Sequence, residues 1–193
     1  EESIPQSRLT KSNGFWWTLW GYTAWSCYKN KIEIAIIEAG PSGLTAAYTL
    51  AKNGINVTIY EKEKELGGYL RYGIPSYRLP NAVLDKEIKR ILSLGVKALT
   101  EQKIDDYEKL KKEIWRIIVA IGFQKGKILD LSKNNPHVEL AISFLKRVKE
   151  KEGHIKLPSS ALVIGGGDVT MDVSSTLKHL AWSKWAMLFM RPL

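Results

Sequence analysis

The sequence predicts an α/β fold built on a parallel sheet, and three observations carry that prediction. Short β-branched apolar runs such as Ile32 to Ile37 alternate with amphipathic helical patterns along most of the chain. Two of these runs lead straight into glycine-rich turns, Gly40 to Gly43 and Gly165 to Gly167. The balance of 45% hydrophobic and 25% charged residues, with 15 Gly and 7 Pro, is that of a globular protein with a core rather than of a disordered or collagen-like chain. At 193 residues there is room for one domain, or for one and a fraction, but not for two complete doubly wound folds.

Residues 1–30 show no defensible period and stand apart as an aromatic-rich arm of uncertain structure. Trp16, Trp17, Trp20 and Trp25 fall within Gly14 to Tyr28, a stretch too short to span a bilayer, which needs roughly 20 apolar residues. Such a cluster serves as an interfacial anchor or packs against a neighbouring subunit or domain, and the second use is the commoner. From Lys31 the text is regular. Ile32 to Ile37 suits a buried parallel strand; Leu44, Ala47, Tyr48 and Ala51 then line one helix face, and Gly54 sits at the C′ position. Ile55 to Tyr60 is the next strand and closes a right-handed βαβ unit.

Gly67 to Pro80 reads as a loop rich in Tyr and carrying Arg71 and Arg78. Asn81 opens a helix with Leu84, Ile88, Ile91 and Leu92 on one face, Gly95 ends it, and a strand follows from Val96. Ile114 to Ile121 is a strand ending at Gly122; Val138 to Lys149 is an amphipathic helix; Ala161 to Ile164 is a strand. Val169 to Leu180 then reads as a helix and Trp185 to Met190 as a strand.

Charge and cysteine usage bound the chemistry. Lys and Arg number 29 against 20 Asp and Glu, a formal +9 that admits a polyanionic partner, but no nucleic-acid recognition motif accompanies it and dispersed surface lysines explain it as well. Cys27 is the one cysteine, so an intrachain disulfide, a four-thiolate zinc site and an iron–sulfur cluster ligated by this chain alone are excluded. With no charged-then-apolar leader pattern, a cytoplasmic setting is expected, with no membrane span and no metal site.

The first turn reads Glu38, Ala39, Gly40, Pro41, Ser42, Gly43 and matches G-x-G-x-x-G in strand–turn–helix context at every glycine but the first. The pattern is that of a Rossmann-like dinucleotide site. Gly40 lets the backbone approach a pyrophosphate, Gly43 lets helix and strand pack closely, and the helix N-terminus attracts the phosphates. Glu61, at the end of the second strand, is placed to accept the hydroxyls of an adenosine ribose. The competing reading is an ordinary helix-entry turn with a solvated Glu. Glu38 is the flaw: a carboxylate about 4 Å from a phosphate costs on the order of 4 kcal/mol at an effective dielectric of about 20. A degenerate site, a Glu that points outward and a misassigned residue are the three explanations.

The second turn, Gly165, Gly166, Gly167, Asp168, Val169, Thr170, supplies G-x-G-x-x-T, and Thr170 is expected to push its helix slightly off the strand. Arg191, at the end of the following strand, replaces the acidic ribose-binding residue and favours a 2′-phosphate, hence NADPH, although a lone Arg is more often a surface charge.

The run Gly67-Gly68-Tyr69-Leu70-Arg71-Tyr72-Gly73-Ile74-Pro75, followed by Tyr77-Arg78-Leu79-Pro80, is more specific than either turn. It resembles the glutamate synthase small (β) subunit family, which includes the flavin subunits of electron-bifurcating NADH-dependent ferredoxin:NADP oxidoreductases and the N-terminal part of dihydropyrimidine dehydrogenase. The similarity spans about residues 31 to 180 and includes Val83 to Ile88, Ala120-Ile121-Gly122 and Phe144 to Val148. The resemblance implies a flavoprotein with two dinucleotide-binding domains, FAD and NADPH, that passes hydride between the cofactors and electrons on to iron–sulfur partners. On that basis Ala39, Gly40, Pro41, Ser42 and Gly43 hold the FAD pyrophosphate, and Glu61 with Lys62 the adenosine ribose. Gly68, Tyr69 and Arg78 line the flavin side, and Gly122 closes the site. Gly165, Gly167, Asp168, Val169 and Arg191 take NADPH. No side-chain acid or base is required, because hydride transfer between cofactors depends on stacking and distance.

The implied organisation is an N-terminal part of an FAD-binding domain over 31–155 and the start of an NAD(P)H-binding domain over 156–193, apparently truncated. Members of the family usually carry a cysteine-rich domain with ligands for two clusters before the first strand, where this chain has the Trp-rich arm. The expected partners are therefore a larger oxidoreductase subunit or the remainder of the same fold, and an iron–sulfur protein. A catalytically silent Rossmann-like scaffold that serves assembly is the alternative.

Overall fold

A computed structural model describes residues 32–114, 116–123, 135–157, 159–180 and 185–188. The aromatic arm, including Cys27, and Arg191 lie outside them. The first strand, β1 (Glu33–Ile37), sits at the centre of a four-stranded sheet. Its flanking strands are β2 (Asn56–Tyr60) and β4 (Arg116–Val119), and β3 (Lys97–Leu99) pairs with the far edge of β2. All pairs are parallel, and Ile36 of β1 lies level with Ile59 of β2 and Ile118 of β4. The order β3-β2-β1-β4 is that of one half of a doubly wound fold. The chain winds outward from β1 through β2 to β3 and then returns to the other side of β1 with β4, so a switch point lies at the C-terminal ends of β1 and β4.

The β-branched run of β1 forms a strand because both of its faces are covered. Ile34 and Ile36 face α1 (Pro41–Lys52) and α3 (Asn81–Leu92), where they join Leu44, Ala47, Val57, Ile59, Leu84 and Ile88 in one buried cluster. Ala35 and Ile37 join Leu110 and Ile114 on the opposite side, with α4 (Tyr107–Glu113). Alternation within the apolar part of the strand, Ile34 to Ile37, therefore distributes side chains between two cores rather than between core and water.

Two short helices lie where no helix is predicted. Tyr69–Tyr72 forms a single turn, α2, inside the predicted loop. In α4 the Asp106 carboxylate accepts from the Glu108 and Lys109 amides, each at 3.0 Å, a helix start that the charged sequence conceals. The helix expected from Val138 begins at Ala141 and ends at Glu150 (α5), after a turn at Asn135 to Val138. The helix expected to open at Asn81 does so, with Pro80 as its N-cap.

A second parallel pair, β5 (Ala161–Ile164) and β6 (Trp185–Leu188), is connected through α6 (Asp168–His179). Its core consists of Val163, Val173 and Leu177 together with Phe144 and Leu145 of α5. Thus α5, which precedes the expected boundary at residue 155, buries its apolar face beside β5 and α6. Lys146 of α5 also reaches the first sheet, pairing with Glu63 at 2.7 Å and lying 5.2 Å from the Tyr72 ring centroid.

Candidate functional site

The β1–α1 turn is set by backbone contacts that admit few side chains. A Cβ on Gly43 would stand 2.1 Å from the Glu38 carbonyl oxygen, so the helix can approach the strand this closely only with glycine at that position. Around Gly40, by contrast, a Cβ would meet nothing within 4 Å, and the turn opens there. No side chain caps the N-terminus of α1, and Pro41, which lacks an N–H, occupies its first position. The amides of Ser42 and Gly43 thus lie in the first turn of a helix whose N-terminus carries partial positive charge.

Gly68 bounds this opening from the other side. It adopts φ +51°, and a Cβ there would be 2.7 Å from Gly40 Cα, so the α2 loop rests directly on the turn. The Gly67 amide donates to the Ala39 carbonyl at 2.9 Å and fixes that contact. Tyr69 opens α2, and burial, followed by the charge of Asp172, pushes its hydroxyl pKa up.

Glu61 is 1% exposed. Its carboxylate accepts from the Ala39 amide at 2.8 Å through one oxygen and from the Glu63 amide at 3.0 Å through the other, which ties the glycine turn to the end of β2. Each oxygen retains a second lone pair, although the side chain is almost wholly buried and does not line the neighbouring cavity. Lys62 pairs with Glu38 at 2.9 Å. Both line a cavity of ≈ 320 Å³ with Gln102, Lys103, Ile104 and Tyr107 beyond the ends of β1 and β2. Glu38 has φ +73°, a left-handed backbone conformation in the position where the glycine motif has its first glycine. The Glu38–Lys62 pair offsets the negative charge that otherwise opposes a phosphate. Gly122, with φ +61°, lies exposed after the end of β4.

The second turn repeats the arrangement. Gly167 is the N-cap of α6, no side chain caps that helix, and a Cβ on Gly167 would meet nothing within 4 Å. Asp168, exposed, and Val169, half-buried, begin the helix. Thr170 is buried against Gly165, where an added Cβ would stand 2.5 Å from Thr170 Oγ1, so the missing side chain of Gly165 makes room for the threonine.

Arg78 pairs with the Asp172 carboxylate on α6, and beside it the Tyr77 ring lies 4.2 Å from the His179 ring, centroid to centroid. The segment from Gly67 to Arg78 therefore touches the first glycine turn at one end and α6 at the other. Asp172 was not anticipated as a functional residue. The signal available for it is an acid on the apolar stripe of a helix, next to Val173 and one turn before Thr176 and Leu177.

Residues 36–101 match the model of an NAD(P)-binding Rossmann-like domain. The matched segment has a Rossmann-like fold. This Rossmann-like chain is 46% identical over 155 residues to the NAD-dependent dihydropyrimidine dehydrogenase subunit PreT of Salmonella typhimurium, an alignment covering 79% of this chain and 38% of that protein. PreT of Escherichia coli K12 is 48% identical over 151 residues, covering 77% of this chain and 36% of its own length. The NADP(+)-dependent formate dehydrogenase subunit beta of Moorella thermoacetica is 34% identical over 151 residues, covering 72% of this chain and 21% of that one. The chain thus spans little more than a third of the curated relatives it matches best among these. In fold it is similar to Mycobacterium tuberculosis FprA in complex with NADPH, with a TM-score of 0.63 at 21% identity over 74% of this chain and 35% of that one. The 2-naphthoyl-CoA reductase structure gives a TM-score of 0.67, also at 21% identity, over 80% and 23% of the two chains. A subunit of an NAD-dependent dihydropyrimidine dehydrogenase is therefore among the proteins with which this Rossmann-like chain aligns.

Among the described residues no helix is long and apolar enough to cross a membrane, and no group of three or more His, Cys, Asp or Glu is arranged to hold a metal ion.

Proposed function

We propose that this chain is the cofactor-binding part of an NAD(P)H-dependent flavin oxidoreductase subunit. The observation that carries the reading is the seating of Gly68 on Gly40 at the uncapped N-terminus of α1, with the Glu61 carboxylate bound to the Ala39 amide. These residues fit a dinucleotide: the turn is open at Gly40, its donors belong to a helix N-terminus, and a hydroxyl acceptor stands at the β2 end.

In this proposal the turn from Ala39 to Gly43 binds the FAD pyrophosphate, Glu61 orients the adenosine ribose, and the cavity beside Lys62 and Gln102 encloses the adenine end. Gly68 and Tyr69 bound the flavin side, and Gly122 closes it. Arg78 positions the α2–α3 loop through Asp172. Gly165, Gly167, Asp168 and Val169 bind the nicotinamide dinucleotide, with Arg191 selecting a 2′-phosphate and hence NADPH. When bound, FAD and NADPH would supply hydride-transfer chemistry, with electrons leaving for an iron–sulfur partner. The chain's own residues bind, orient and exclude water, and none is asked to carry a proton. The boundary between an FAD-binding part (31–155) and an NAD(P)H-binding part (156–193) belongs to the same proposal. So do a larger oxidoreductase subunit or the remainder of the fold as partner and a cytoplasmic setting. The relatives support this reading, since PreT is an NAD-dependent dehydrogenase subunit and the Moorella protein an NADP(+)-dependent one.

The test is reconstitution. The purified chain is incubated with FAD, desalted and examined for flavin absorbance, and NADPH or NADH is then added without oxygen. Retained flavin that bleaches with NADPH supports the proposal, and faster bleaching with NADH reverses the nicotinamide preference. Glu38, a charged residue in the tight turn, favours the second reading of a catalytically silent scaffold, for which no retained flavin is the expected result.

A further inference from the structure

A second cavity stands apart from the glycine turns. It measures ≈ 480 Å³ and lies where the α2–α3 region meets α5 and α6. None of the residues assigned above to FAD or the nicotinamide dinucleotide lines it. Leu145, Val148 and Leu180 give it aliphatic surface, and Tyr72, Tyr77 and His179 contribute rings.

Two cations border the same space and differ in how they are satisfied. Arg71 is buried; its Nε donates to the Leu66 carbonyl at 3.1 Å, its guanidinium pairs with Asp85, and Glu65 lies 3.4 Å from Nε. Lys149 has no comparable arrangement. Its Nζ is shielded from solvent and has no hydrogen-bond partner among the described residues. Burial, and then the charge of Arg71, push its pKa down. A shielded ammonium without an acceptor is costly, and in native folds such a group calls for a specific explanation.

The wall chemistry defines what would satisfy it. Lysine carries its charge on a flexible four-carbon stem, so the ammonium can turn toward an acceptor that enters the cavity. One uncompensated positive charge matches one negative charge. Glu65, Glu150 and Glu152 border the same cavity and oppose any anion, a dianion about twice as strongly as a monoanion. The aliphatic and aromatic walls suit a hydrocarbon body, and the volume lies within the roughly 300–1,000 Å³ usual for small-molecule sites. We propose that this cavity binds a small monocarboxylic acid with an apolar or aromatic body, whose carboxylate accepts hydrogen bonds from Lys149 Nζ. The proposal is independent of the flavin reading, and its test uses neither cofactor.

The experiment titrates the full 193-residue chain calorimetrically with benzoate, with benzamide as the neutral isostere and with inorganic phosphate. Benzoate is expected to bind at least tenfold more tightly than benzamide, and phosphate to give no binding heat. Lys149→Met, which keeps the stem and removes the charge, is expected to weaken benzoate at least tenfold while melting at or above the wild-type temperature by circular dichroism. Equal affinity for benzoate and benzamide, no benzoate binding to the wild type, or unchanged binding in the variant overturns the proposal. Tighter binding of phosphate than of benzoate overturns the monocarboxylate class. If an acidic side chain of this chain already satisfies Lys149, benzoate fails to bind and Lys149→Met melts lower, which also overturns it.

Discussion

Glu38 and Gly43 show how one turn is governed by single residues. Glu38 adopts φ +73°, a conformation that costs an L-residue about 1–2 kcal/mol relative to glycine. Glu38→Gly is therefore expected to remove both that strain and the carboxylate beside the turn. FAD affinity should rise at least tenfold, or about 1.4 kcal/mol, measured by flavin fluorescence quenching; equal affinity in the two proteins would refute the role assigned to Glu38. Gly43→Ala acts in the opposite sense, because its Cβ would meet the Glu38 carbonyl at 2.1 Å. A loss of about 1–3 kcal/mol is expected from urea unfolding, as for other overpacked sites. Lys149 adds a pH dependence. Its pKa is lower in the folded state than the ordinary 10.5, so the unfolded chain binds more protons between those two values and folding is strengthened as pH rises through that window. The stability gained by Lys149→Met should thus be greatest below the lowered folded-state pKa and shrink as pH rises toward 10.5, as followed by thermal melts at increasing pH.

At the scale of elements, the α2–α3 loop is held to α6 through Arg78, Tyr77 and their partners Asp172 and His179. Asp172 is 7% exposed at its side chain and Arg78 is 52% exposed, so the two partners are not equivalent. Arg78→Ala leaves a buried carboxylate without its counter-charge, whereas Asp172→Asn leaves a guanidinium that water can solvate. The urea midpoint of Arg78→Ala is expected below that of Asp172→Asn, with the double variant recovering part of the loss; the reverse order would show that the pair does not hold the loop. The elements themselves were unequally legible. α1, β1 and β2 follow from hydrophobic period and glycine punctuation, since both faces of that unit are covered by apolar neighbours. α2 and α4 were not anticipated. α2 is a single turn nucleated beside Gly68, and α4 is a charged helix whose inward face contributes only Leu110 to the buried residues, so neither presents a periodic stripe.

For the whole molecule, α5 couples the two sheets. Its apolar side packs with Val163, Val173 and Leu177, while Lys146 reaches Glu63 and Tyr72 beside the first sheet. A molecule joined in this way should unfold in one step, with coincident transitions by far-ultraviolet circular dichroism and tyrosine fluorescence. Two separated transitions would show that the seam is weaker than the cores it joins. The sequence by itself determined the parallel α/β class, the two strand–glycine–helix turns and the identity of the small residues within them. Those features are local: steric exclusion at Gly43 and the strand and helix periods act over a few residues. Only the tertiary structure decided that Gly68 rests on Gly40, that Lys62 pairs with Glu38, that Arg78 meets Asp172 and that Lys149 is shielded without an acceptor among the described residues. Each of these depends on elements distant in the chain being brought together by burial of the cores. A charge acquires its partner, or lacks one, only after that packing is complete.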